Sequence, residues 1–167
     1  MRVVIAVPAA SAYEIVLALH IIAMVVAFGA TFIYPVMFAV GARRDPRSLP
    51  LLHRVEYTIE RTLMNFGLLV VLGAGIFLAS DDHLWSEFFV QWGLGAVVVI
   101  GGLVGSVMIP TAKRAEQLAA RDIEAAGGGG EIELSDEYRA LVRRLGSVGW
   151  LLSALVVVTI AIMVIKP

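Results

Sequence analysis

Charge is excluded from four stretches of the chain, and apolar residues fill them. The stretches are Ile15–Ala42, Thr62–Ser80, Phe88–Ala112 and Leu145–Ile165. A helix crossing the hydrocarbon core of a bilayer needs about 20 apolar residues at about 1.5 Å each. The pattern therefore predicts four membrane-spanning helices, over about residues 15–42, 60–80, 88–112 and 144–165. Residues 1–14 read as an N-terminal extension, and 15–165 as a single domain. The expected fold class is all-α, a four-helix transmembrane bundle.

Composition agrees with the pattern. Of 167 residues, 59% are hydrophobic and 16% charged, and the mean hydropathy is +0.87. A water-soluble domain carries about 25% charged residues, so a soluble enzyme and a disordered chain are both excluded. The net charge of −1 gives no footing for nucleic acid, and the partner implied is a lipid bilayer. With no cysteine there are no disulfides, thiolate metal sites or cysteine nucleophiles. Any metal or haem would have to use His, Met, Tyr or carboxylate ligands.

The basic residues orient the bundle. Arg43, Arg44, Arg47, Arg54 and Arg61 flank the first connection, while Lys113, Arg114, Arg121, Arg139, Arg143 and Arg144 lie about the third. The second connection, 81–87, has acids but no Lys or Arg. Short cytoplasmic loops retain basic residues, so two basic loops are expected in the cytoplasm and both termini outside, in a bacterial cytoplasmic membrane. The loop 113–143 is expected to be helical. Ala112–Ala126 should extend the third helix, Gly127–Gly130 should break it, and Ser135 should cap the next. A solvated connector is the plain account of that loop. Tyr13, Trp85 and Trp92 are expected at the outer interface, Tyr34 and Tyr57 at the inner one, and Trp150 between helices. Glycines such as Gly67, Gly101, Gly105, Gly146 and Gly149 permit close helix approach. They leave room for a homo-oligomer or a membrane-protein partner.

Few residues carry candidate chemistry. His20 is the sole Asp, Glu, Lys, Arg or His within the four windows, and such residues at membrane depth are functional candidates. Met24 follows one turn later, and His83 in the outer loop could join His20 in a bis-histidine haem site. A neutral imidazole bonded across a helix contact is the simpler role for His20. His53, Glu56 and Glu60 fall at i, i+3 and i+7, sharing one helix face. They could pass protons or hold a cation, whereas the plainer account pairs Glu60 with an arginine of another helix. Arg61 and Asn65 lie deepest along that helix and are the candidates for a polar cavity. No catalytic motif is present.

The stretch Leu17–Thr31, with its early histidine, small residues and Gly29 ahead of a basic loop, resembles the predicted integral membrane proteins grouped as domain of unknown function 2269. Leu72–Leu78 resembles that family's second helix. More distantly, the same opening resembles the copper-resistance D membrane domain and the HemJ-type protoporphyrinogen oxidase. The latter likeness implies haem b on His20, although Ala27-Phe28-Gly29 stands where that family has a Trp before the glycine. Three roles follow as expectations. The first is a non-catalytic helix-packing or accessory protein. The second is a haem b-binding redox protein using His20. The third is a small transporter or oligomeric channel.

Overall fold

The computed structural model describes residues 10–127 and 130–167. Most of the N-terminal extension, and Gly128 and Gly129 of the glycine run, lie outside the described residues. Four long helices make up the bundle: α1 Ala12–Arg44, α2 Pro46–Asp81, α3 Phe88–Ala125 and α4 Asp136–Ile165. Each is long and apolar enough to cross a membrane. No strand occurs among the described residues.

Their ends follow ordinary capping chemistry. Ser11 accepts from the Glu14 backbone N–H and Glu14 reaches back to the Ser11 N–H, a capping box that opens α1. Ser135 accepts from the Tyr138 N–H and opens α4, as its N-cap chemistry predicts. Asp122 accepts from the Ser135 N–H at 2.8 Å, tying the end of α3 to the start of α4. Across the same connection, the Arg47 guanidinium donates to the carbonyls of Gly127 and Gly130.

The end of the bundle beyond the membrane windows is no solvated connector. Ala112, Ala115, Leu118 and Ala119 repeat on one face of α3 and are almost wholly buried with Leu49 and Tyr138. That helical spacing makes an amphipathic stripe, so the extension packs against α2 and carries the core past the charge-free windows.

Three of the four helices are irregular at similar heights. In α1, a 3₁₀ turn at Gly29–Phe32 precedes Pro35, whose missing N–H interrupts the ladder. In α3, a π-helical turn at Val104–Met108 precedes Pro110. In α2, the π-helical turn is Glu60–Met64. Around it the Thr58 and Thr62 hydroxyls and the Asn65 amide donate to carbonyls four residues back. Such back-bonding bends helices and satisfies carbonyls that the wider turn releases.

Close approach falls at fewer glycines than the sequence suggests. A Cβ on Gly67 would lie 2.5 Å from the Ala27 Cβ, so Gly67 sets the α1–α2 contact. At Gly105, Gly146 and Gly149 a Cβ would meet nothing within 4 Å, and at Gly101 only the Leu68 tip at 3.9 Å. The Gly101-to-Gly105 step therefore does not mediate packing within this chain. Trp150, expected between helices, is 73% exposed. Trp92 donates its indole N–H to Thr159 within the α3–α4 contact.

Candidate functional site: two cavities in the bundle

The bundle contains two cavities, one toward the acidic 82–87 connection and one toward the two basic connections. Leu68 and Val104, buried and on neither wall, lie between them along α2 and α3.

The first cavity holds about 240 Å³ and touches all four helices. His20 is its only histidine, and Met24 and Thr159 are also on its wall. The imidazole Nδ1 lies 3.0 Å from the Val71 carbonyl oxygen. A carbonyl can only accept, so Nδ1 carries the proton of the neutral ring and Nε2 keeps its lone pair. Gly75 makes room for this, since a Cβ there would sit 3.4 Å from the imidazole Cε1. His83 is exposed in a left-handed backbone conformation (φ 56°) on the connecting loop and is not on the cavity wall. The bis-histidine pair is thus not brought together. Met24, one turn along from His20 on the same helix, does not face it across the cavity. The space is also below the 300–1,000 Å³ or so of pockets for larger ligands. The residues present do not fit a haem held between two axial ligands.

The second cavity is of equal size but different in kind. Its wall includes Thr31, Tyr34, His53, Glu56, Glu60 and Met108. All three helix irregularities reach it, through Thr31 and Phe32 of α1, Glu60 and Met64 of α2, and Met108 of α3. His53, Glu56 and Glu60 are 1%, 3% and 1% exposed. The shared face predicted from their spacing points inward.

Here His53 is fully engaged. Its Nδ1 lies 3.0 Å from Glu56 Oε2 and its Nε2 3.0 Å from the Tyr138 hydroxyl. One arrangement satisfies every atom: Nδ1–H donates to the carboxylate and the tyrosine O–H donates to Nε2. The Phe38 ring lies against the imidazole, with centroids 4.5 Å apart and planes tilted by 37°. Glu60 has no such support. It makes no hydrogen bond or ion pair among the described residues, and its Oε2 is wholly buried. The expected arginine partner is missing because the arginines nearby turn elsewhere. Arg54 bonds Glu116, and Arg61 donates to the Tyr57 hydroxyl. Arg61 and Asn65 are exposed on the outer face of α2 and line neither cavity. The Tyr34 hydroxyl, on the same wall as Glu60, is also buried without a partner. Tyr34 and Tyr138 are site residues that spacing does not flag, because each meets the cluster from a different helix.

Two unpartnered buried polar atoms on one wall are rare in native interiors. Such a wall can hold a ligand that donates hydrogen bonds or carries positive charge. Among the described residues no group of three His, Asp or Glu side chains is arranged to hold a metal ion.

Neither the curated proteins nor the solved structures contain a match to this chain. A family model covers residues 14–167, nearly the whole length. With four apolar helices of spanning length around a buried acidic cavity, the chain belongs to the family described as predicted integral membrane protein (DUF2269).

Proposed function

We propose that this membrane protein takes up and releases a cation, in the simplest case a proton, on the carboxylate of Glu60. The observation that carries the reading is the wholly buried, unpartnered Oε2 of that residue. An isolated carboxylate in a low-dielectric interior costs several kcal/mol or more, so the group holds a proton or a cation whenever the bundle is closed. A bundle selected for packing alone would gain from an apolar residue here. Three distorted helix turns converging on the same wall favour a working site, since π-helical turns cluster at such places. The charged and titratable groups that share the wall are Glu56 and His53, with Tyr34, and no Lys or Arg lies among them. The excess of Lys and Arg at this end favours a cytoplasmic location, so the cation would exchange with the cytoplasmic half of the membrane.

Dicyclohexylcarbodiimide, an apolar reagent that modifies protonated carboxyl groups, tests the reading. Glu60 should be labelled in detergent-solubilised protein, as read by peptide mass spectrometry, and labelling should fall as the pH is raised. Absence of label on Glu60 at every pH, with exposed acids such as Glu124 modified, would sink the proposal.

A further inference from the structure

Resting on that reading of Glu60, we propose that the cavity binds a protonated alkylamine entering sideways from the lipid between α1 and α4. Four observations converge on this ligand. The wall carries two carboxylates and no Lys or Arg, so its charge selects a cation. About 240 Å³ is room for several waters at about 30 Å³ each, far more than a bare metal ion or a proton needs. Glu60 Oε2 and the Tyr34 hydroxyl oxygen are both unpartnered acceptors, and an alkylammonium group has N–H bonds for each. Four aromatic residues, Phe32, Tyr34, Phe38 and Trp150, also stand on the wall, and ring faces attract ammonium ions.

The route is set by where the helices part. Phe32 and Trp150, both on the wall, are 48% and 73% exposed, so the cavity meets the bundle surface between α1 and α4. Gly146 and Gly149 of α4 lie on the same wall, with nothing within 4 Å of a Cβ placed on either. A surface of this kind within a membrane window faces acyl chains. A ligand with an apolar tail can leave that tail among the lipids while its head reaches Glu60. An amine with N–H bonds is preferred over a quaternary ammonium, which can satisfy the charge but neither acceptor.

The same head group occurs on a free amphiphilic amine and on phosphatidylethanolamine, and titration of the full-length protein in dodecyl maltoside micelles separates them. Dodecylamine should bind saturably by calorimetry and protect Glu60 from carbodiimide. Dodecyltrimethylammonium should bind more weakly, and dodecyl sulfate should not compete. Glu60→Gln should weaken dodecylamine binding at least about tenfold. Trp150→Ala, which leaves the polar core untouched and so guards against a folding artefact, should weaken it about threefold. Competition by added phosphatidylethanolamine would assign the head group to a lipid, and its failure to compete would assign it to a free amine. Equal affinity of wild type and Glu60→Gln overturns the inference. Carbodiimide labelling of Glu60 without amine binding overturns this inference alone and leaves the proton reading standing. Loss of both removes both.

Discussion

The two cavities enclose the same volume, about 240 Å³, and each is bordered by one histidine, yet they solve opposite problems. His20 sits among regular helices and meets its need with one backbone carbonyl, that of Val71. His53 is held at both nitrogens by side chains from α2 and α4, and beside it stands a carboxylate that nothing holds. The irregular turns of α1, α2 and α3 reach only the second cavity. A void in an apolar bundle is therefore not in itself a sign of chemistry. The sign is polarity left unsatisfied where the helices have been distorted to place it.

The sharpest test of that difference is to remove each histidine. His53→Ala leaves Glu56 and Tyr138 buried without their partner, and should cost about 3 kcal/mol of stability in unfolding by sodium dodecyl sulfate in mixed micelles. His20→Ala should lose far less. Equal losses would mean that the two sites are alike in kind and that the distortions have no bearing on the polar network.

Much of this contrast is legible in the sequence, and the remainder is not, for physical reasons. The charge-free windows point to four spanning helices, because the bilayer sets the apolar length, and four helices long and apolar enough to cross a membrane are present. The Ser135 cap and the helical run from Ala112 are local signals, and the structure follows them, whereas the burial of Ala112, Ala115 and Ala119 is set by packing against α2 and not by local pattern. The shared face of His53, Glu56 and Glu60 follows from helical spacing alone. What it faces does not. Tyr138 is 85 residues from His53, and no local pattern joins them. Arg61 and Asn65 lie deepest of the α2 candidates by count, yet both are exposed and Arg61 turns to Tyr57, because the angular position of a side chain matters more than its depth. The π-helical turn at Glu60 has no periodic signature, although Thr58, Thr62 and Asn65 mark it with back-bonding side chains.

A second test asks whether the wall between α1 and α2 is as rigid as the comparison requires. Gly67→Ala places a methyl group 2.5 Å from Ala27 Cβ, and either helix must shift. A loss of about 2 kcal/mol is expected in the same unfolding assay. Gly105→Ala, which meets nothing within 4 Å, should stay within about 0.5 kcal/mol of wild type. Sensitivity at Gly105 instead would indicate that its helix face is packed against another chain.

Glu60→Leu probes the second cavity from the opposite direction. If the unpartnered carboxylate is kept for binding and not for folding, an apolar side chain of similar size should stabilise the bundle by about 1 kcal/mol. It should also abolish carbodiimide labelling at that position. A marked loss of stability would show that Glu60 supports the fold, and would bring the two cavities closer in character.

The smallest expected effect, at His20, decides whether the first cavity is truly the inert one. A single hydrogen bond from a membrane-buried side chain is worth about 0.6 kcal/mol on average, so His20→Ala should destabilise by roughly that amount. The purified protein should also be colourless, because one wall offers His20 without a facing second ligand and His83 lies off the cavity. A Soret band present in wild type and absent in His20→Ala would reverse the comparison. It would make the free Nε2 lone pair an iron ligand, and it would require the helices around Gly75 to open well beyond the space seen here. In that event a quiet wall of regular helices would conceal the chemistry, and the distorted turns about Glu60 would need another explanation.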